Sequence, residues 1–262
     1  MPEGQPLASS CPLCEGIGWV LEQDGGVGTA HPCECRWRQV VPRLLERAAI
    51  PPRYRDCTLA NFKVVHQEQA AREQLLQARS ISEQFVDAFL GPDGKFAERG
   101  LLYVGQPGTG KTHLAAAVLR ALVERYRVRG LFVDFTTLIH DIQSTFDPSS
   151  QESKHQILDP VMEAEVLVLD ELAAQKSTAW VDDILYLVMN GRYTRRLPTL
   201  FTTNYSLDQD RAERGLDSAP RREVLSARIP RRLVSRLYQM TRPVVIEVED
   251  FRREVTAAAH GF

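Results

Sequence analysis

Residues 105 to 112 read Gly-Gln-Pro-Gly-Thr-Gly-Lys-Thr, and no other stretch of the chain constrains the fold as tightly. The octet matches G-x-x-x-x-G-K-[ST] at each fixed position. The apolar run Leu101 to Val104 leads into it like a buried strand, and the helix-prone run His113 to Glu124 leads out. A strand, a glycine-rich turn and a helix N-terminus in that order wrap backbone N–H groups around a polyphosphate, and the helix end adds positive potential. Gly105, Gln106, Pro107, Gly108, Thr109 and Gly110 would form the cradle. Lys111 would reach the outer phosphates, and Thr112 would offer its hydroxyl to magnesium. A nucleoside triphosphate is the expected ligand.

The 262 residues suffice for one large α/β domain and a small module. With 44% hydrophobic and 25% charged residues, the composition is that of a globular protein in water. No apolar run approaches the roughly 18 residues of a membrane helix. The opening Met-Pro-Glu-Gly-Gln lacks the basic start and apolar core of a secretion signal. A cytoplasmic protein with no membrane partner is expected. Net charge −2 excludes a general polycation, yet arginines crowd between 36 and 55 and between 211 and 242. Such patches suit phosphates or acidic partners.

Cys11 and Cys14 form a C-x-x-C pair, and Cys33 and Cys35 a C-x-C pair, with Gly16, Gly18, Gly25, Gly26 and Gly28 between them. Two short knuckles of this kind bring four thiolates to one tetrahedral zinc. His31 could replace one thiolate, and an iron–sulfur cluster or unmetallated thiols are the other readings. About 40 residues cannot bury a stable core unaided, whereas metal binding could supply roughly 10–16 kcal/mol of apparent folding energy. Disulfides do not suit a cytosolic chain, and Cys57 reads as a small buried residue.

Trp37 to Ala49 reads as a helix stopped by Pro51-Pro52. An extended segment, Arg53 to Val65, follows. His66 to Leu90 reads as an amphipathic helix, with Leu75, Ala78, Ile81, Phe85 and Phe89 at helical spacing. Strands are predicted at 101–104, 131–135, 165–169, 199–203 and 244–248, each apolar enough to be buried on both faces. Helices between them predict right-handed crossovers. The expected fold class is α/β, a doubly wound five-stranded parallel sheet with its ligand at the carboxyl ends of the strands. The expected organisation is a zinc-binding module over 1–40, a linker over 41–65 and a nucleotide-hydrolysing domain over 66–262.

Glu165-Val-Leu-Val-Leu-Asp170-Glu171 is a buried strand ending in two acids. Asp170 would hold magnesium through water, and Glu171 would polarise the attacking water as general base. The next strand ends in Thr202-Thr203-Asn204, so Asn204 would sit beside the γ-phosphate and orient that water. Arg236 could stabilise transition-state charge on a neighbouring subunit's nucleotide. Arg252 or Arg253 could reach the phosphates of their own subunit.

Together these motifs resemble AAA+ ATPases, and more narrowly the DnaC/DnaI/IstB group of helicase loaders and transposition ATPases. The carrying residues are Gly100 to Ala115, Ile50-Pro-Pro-Arg-Tyr-Arg with Asn61-Phe62, Leu169-Asp-Glu-Leu, Asn190-Gly-Arg-Tyr193, Leu197 to Asn204 and Arg232-Leu-Val-Ser-Arg236-Leu. The resemblance covers roughly 50 to 255. It implies that Lys111 and Thr112 are Walker A, Asp170 and Glu171 Walker B, Asn204 sensor 1, Arg236 the arginine finger and Arg252 sensor 2. It also implies adenine as the base and a core without a C-terminal lid domain. Residues 137 to 160 fall where the group carries a helical insertion implicated in single-stranded DNA binding, and here that segment offers only Lys154 and His155 as basic groups.

The function implied is that of an ATP-dependent helicase loader whose zinc module grips the replicative helicase. Its ATPase domains would self-associate on single-stranded DNA and release after hydrolysis. The alternative is an IstB-like transposition ATPase that selects target DNA and recruits a transposase. A small-molecule kinase on the same loop, or a nucleic-acid-binding zinc protein with a vestigial ATPase, would be further readings.

Overall fold

The computed structural model describes residues 11–24, 27–97, 99–147, 153–207 and 223–250. Two antiparallel strands, β1 (Trp19–Asp24) and β2 (Val27–Pro32), precede helix α1 (Glu34–Arg47). A 3-10 turn over Pro52–Tyr54 leads towards α2 (Gln69–Asp87). The alternating part of the chain follows as β3 (Gly100–Gly105), α3 (Lys111–Tyr126), β4 (Gly130–Asp134), α4 (Phe135–Ser144) and α5 (Lys154–Glu163). It continues with β5 (Val166–Asp170), α6 (Ala179–Thr194), β6 (Thr199–Thr203), α7 (Arg231–Met240) and β7 (Arg242–Ile246). Among the described residues, no helix is long and apolar enough to cross a membrane.

The five later strands form one parallel sheet in the order β4-β5-β6-β3-β7. Side chains alternate across it because strand residues point to opposite faces in turn. Leu101, Tyr103, Val166, Val168 and Leu200 meet the apolar cluster that includes α2 and α3. Leu102, Val104, Leu167, Leu169 and Phe201 meet the cluster built by α4, α5, α6 and α7. Each of these chains is nearly inaccessible, and burying a leucine or phenylalanine of this kind contributes about 1.5–3 kcal/mol. The sheet is therefore doubly wound, as the sequence predicts.

β3 lies between β6 and β7, so the loop after it opens at the carboxyl edge beside β6, the place where doubly wound sheets hold ligands. Tyr103 of β3 is completely buried and its hydroxyl pairs with Ser82 of α2 at 2.7 Å. Ser82 in turn donates to the Ala78 carbonyl, so this buried polar contact is satisfied.

Three details differ from the sequence reading. α1 begins at Glu34 rather than Trp37, so Cys33 is its N-cap and Cys35 lies in its first turn. The second cysteine pair is thus a helix start and not a second knuckle. β5 runs one residue further than expected and ends on Asp170 itself. The segment expected to be a linker, 41–65, lies against the main core, where Ala48, Ile50, Cys57 and Phe62 are buried.

Candidate nucleotide-binding site and metal centre

The loop between β3 and α3 can take its shape only because of its glycines. Gly108 and Gly110 have φ of 82° and 92°, in the left-handed region that side chains disfavour. A β-carbon at Gly110 would stand 2.6 Å from the Phe62 ring, and one at Gly108 would collide with the Asp250 carboxylate. Gly110 also caps α3, so the first N–H groups of that helix face the loop. Thr109 donates to the Gln106 carbonyl at 3.0 Å, which closes the turn. Lys111 is buried, and its ammonium lies 2.6 Å from the same carbonyl. The loop thus sets a buried lysine beside the N-terminus of α3, an arrangement suited to a polyphosphate.

Thr112 follows on α3 and donates to Asp170 Oδ1 at 3.1 Å. Thr202, at the tip of β6, donates to the same oxygen at 2.5 Å. Burial pushes the Asp170 carboxyl pKa upward; the two hydroxyls pull it back, and Asp134 adds to the rise. Asp134 ends β4 and stands opposite Asp170 in the strand register. A hydroxyl and a carboxylate in contact are the hard oxygen donors that magnesium takes from a protein in phosphate sites. Magnesium there would neutralise charge on the phosphate oxygens.

Glu171 is exposed just beyond β5 and adopts φ 56°. Left-handed backbone at a glutamate is a strained conformation that neighbouring contacts must enforce. Those contacts are its N–H donating to Thr202 Oγ1 at 3.0 Å and the Leu172 N–H donating to the Thr202 carbonyl at 2.8 Å. Thr202 therefore holds Asp170 and Glu171 in place together. The sequence reading gave it no role, although its position at the tip of the strand beside Asp170 is the signal. Asn204 follows β6 directly in a bend and is half-buried.

Arg236 of α7 lies over the Tyr193 ring of α6, 4.1 Å from its centroid, and Arg232 similarly over Tyr186 at 5.5 Å. Within one chain Arg236 is therefore held on the face formed by α6 and α7. Arg252 and Arg253 lie outside the described residues.

In the sequence Arg192 stands out only within the Asn190-Gly-Arg-Tyr193 resemblance. It is the largest fully buried side chain among the described residues. Its guanidinium donates to the carbonyls of Val161, Ala164 and Pro198 and to Thr199 Oγ1, at 2.8–3.0 Å. Burial pulls its pKa down. From α6 it ties the end of α5 to the start of β6 and takes no part in the nucleotide loop.

In the N-terminal module the thiols of Cys11, Cys14, Cys33 and Cys35 all lie within 4.8 Å of one another. Cys11 and Cys33 are 3.7 Å apart, and Cys14 and Cys35 are 3.2 Å apart. Zinc–sulfur bonds of about 2.3 Å put tetrahedral thiolates about 3.8 Å apart, so the set fits zinc. The Gly18 N–H donates to Cys14 Sγ at 3.3 Å, and the start of α1 supplies the positive end of a dipole. Both favour thiolate. His31 lies on β2 opposite Val20, outside the ligand cluster.

A family model described as IstB-like ATP binding protein matches residues 40–219. The chain belongs to this IstB-like ATP-binding family. The cysteine cluster precedes the matched segment. The replicative helicase loader DnaC of Escherichia coli (strain K12) is 28% identical over 193 residues, 74% of this chain and 73% of DnaC. The replicative helicase loader DnaI of Bacillus subtilis (strain 168) is 27% identical over 155 residues, 59% of this chain and 48% of DnaI. The crystal structure of the DnaC helicase loader aligns with a TM-score of 0.58 at 30% identity, covering 75% of this chain and 99% of that one. AMPPCP-bound DnaA from Aquifex aeolicus shares the fold, with a TM-score of 0.54 at 16% identity over 82% of this chain and 57% of that one. The chain is thus an AAA+ ATP-binding protein homologous to helicase loaders.

Proposed function

We propose that this protein is an ATPase that loads a replicative helicase onto DNA. The likeness to DnaC in both sequence and structure carries the reading, since it spans 99% of the solved DnaC chain. In this account Gly105 to Gly110 cradle the phosphates, Lys111 binds the outer ones, and Thr112 and Asp170 hold magnesium. Glu171 polarises water, and Asn204 orients it. Arg236 acts on the nucleotide of a neighbouring copy, and Arg252 on its own. The contact of Thr112 with Asp170 and the strained, exposed Glu171 support these roles.

The base belongs in the cavity of about 240 Å³ beside Gly108 to Gly110, walled by Phe62, Leu75, His113 and Val248. Burial depresses the His113 pKa, so its neutral ring and Phe62 offer an apolar surface for adenine.

Zinc organises the module over 1–40, which contacts the helicase, while 66–262 forms the ATPase domain and 41–65 connects them. Single-stranded DNA is the second partner. Phe146 supports this, being 61% exposed with its ring centroid 5.7 Å from Trp180, as aromatic platforms for bases are.

The test is a forked DNA coated with single-strand-binding protein, mixed with helicase and ATP. Unwinding should require this protein and vanish with Lys111→Ala. Unwinding that is equal without it contradicts the loader role. The second reading is a transposition ATPase, favoured by the IstB-like family match. It predicts binding to a transposase and target DNA instead.

A further inference from the structure

We propose that Arg53 is a phosphate contact of the bound nucleotide, and that the turn carrying it reports nucleotide occupancy to α1 and the cysteine module. The proposal rests on the reading of 105–112 as a nucleotide site. A cavity of about 260 Å³ opens beside the loop. One wall is Gly108, Gly110, Lys111 and Thr112; the other is Arg53, Tyr54 and Cys57. Arg53 is exposed and leans over the Tyr54 ring at 5.9 Å. Among the described residues it makes no ion pair. A guanidinium with five donors thus shares a cavity with the groups that suit a polyphosphate.

The turn is held in that position. Pro51 and Pro52 fix two backbone φ angles at its start. The Thr58 carbonyl accepts from His113 Nε2 at 3.1 Å, and the Arg55 carbonyl accepts from Arg120 at 2.5 Å. Phe62 packs edge-on against His113, with ring centroids 5.3 Å apart. All three contacts fall on α3, the helix whose N-terminus forms the phosphate site.

Upstream, a few residues join the turn to α1. The Ala48 carbonyl accepts from the Phe132 N–H of β4 at 2.8 Å. Trp37 on α1 lies under the Arg127 guanidinium at 4.4 Å, just past the end of α3. Cys33 caps α1 and Cys35 lies in its first turn. A continuous docked segment therefore runs from the nucleotide loop to the thiols, with Arg53 at its phosphate end.

The experiment uses the full-length, metal-loaded protein and a fluorescent ATP analogue. Arg53→Gln should weaken binding about tenfold, the scale of one lost charge-assisted contact, and Arg53→Lys about threefold. The melting temperature of the nucleotide-free protein should not change. Hydrogen exchange should show ATP slowing exchange across 34–47 in the wild-type chain, and much less in Arg53→Gln at saturating nucleotide. Wild-type affinity in Arg53→Gln, or equal slowing in both proteins, overturns the proposal. A wild-type chain that binds no ATP analogue overturns the nucleotide reading itself.

Discussion

Thr112 at the start of α3 donates to Asp170 at the tip of β5, although β6 lies between β5 and β3 in the sheet. The bond spans the carboxyl edge and puts a buried carboxylate next to the phosphate loop. The hydrogen-bond partners of that carboxylate are the neutral hydroxyls of Thr112 and Thr202. Burial outweighs the help these hydroxyls and Lys111 give to the ionised form, so that form costs stability until a further cation arrives. Asp170→Asn keeps the shape and removes the charge. It should raise the melting temperature of the nucleotide-free protein by about 2–4 °C while abolishing magnesium-dependent turnover. A lower melting temperature would contradict this view of the site.

Glu171→Gln should bind ATP as the wild type does and slow hydrolysis by about a hundredfold or more. The substitution leaves the contacts of Thr202 with the 171 and 172 amides untouched, so folding should be unaffected. Unchanged steady-state turnover would remove Glu171 from the role of general base.

The zinc-site prediction concerns Cys14, whose Sγ sits 3.2 Å from that of Cys35 and accepts the Gly18 N–H. Cys14→Ser should cost the protein its bound metal, measured by elemental analysis, and unfold the segment before α1. ATP binding by the core should survive. Full metal content in the variant would refute the four-thiolate set.

Arg192→Met should destabilise the protein by about 3 kcal/mol or more, because three buried carbonyls and the Thr199 hydroxyl lose their donor. That corresponds to a fall in melting temperature of about 6–12 °C. Nucleotide affinity below the transition should not change. A variant as stable as the wild type would show that these carbonyls find other donors.

Phe146→Ala should weaken single-stranded DNA binding about tenfold, within the range of one lost base stack, and leave ATP affinity alone. Equal binding by filter retention or anisotropy would move the DNA surface elsewhere.

The sequence exposed some of these features and hid others for physical reasons. The strands were visible because parallel strands buried on both faces must be apolar throughout, as Val166 to Leu169 are. β7 was placed at 244–248 but runs Arg242–Ile246. It is an edge strand, and only such a strand tolerates Pro243 near its start. The phosphate loop was legible because its chemistry is contiguous. The grouping of Thr202, Asp134 and Asp170 was not, since it depends on strand order and register. Arg192 was opaque because arginines are almost never fully buried, and its partners are backbone carbonyls that no side-chain pattern reveals.

The most direct test of the central claim is light scattering of the full-length protein mixed with the replicative helicase of the same organism, with and without ATP. The account predicts a defined complex whose stability changes with the nucleotide and which is lost with Cys14→Ser. No complex at tens of micromolar in any nucleotide state would contradict it.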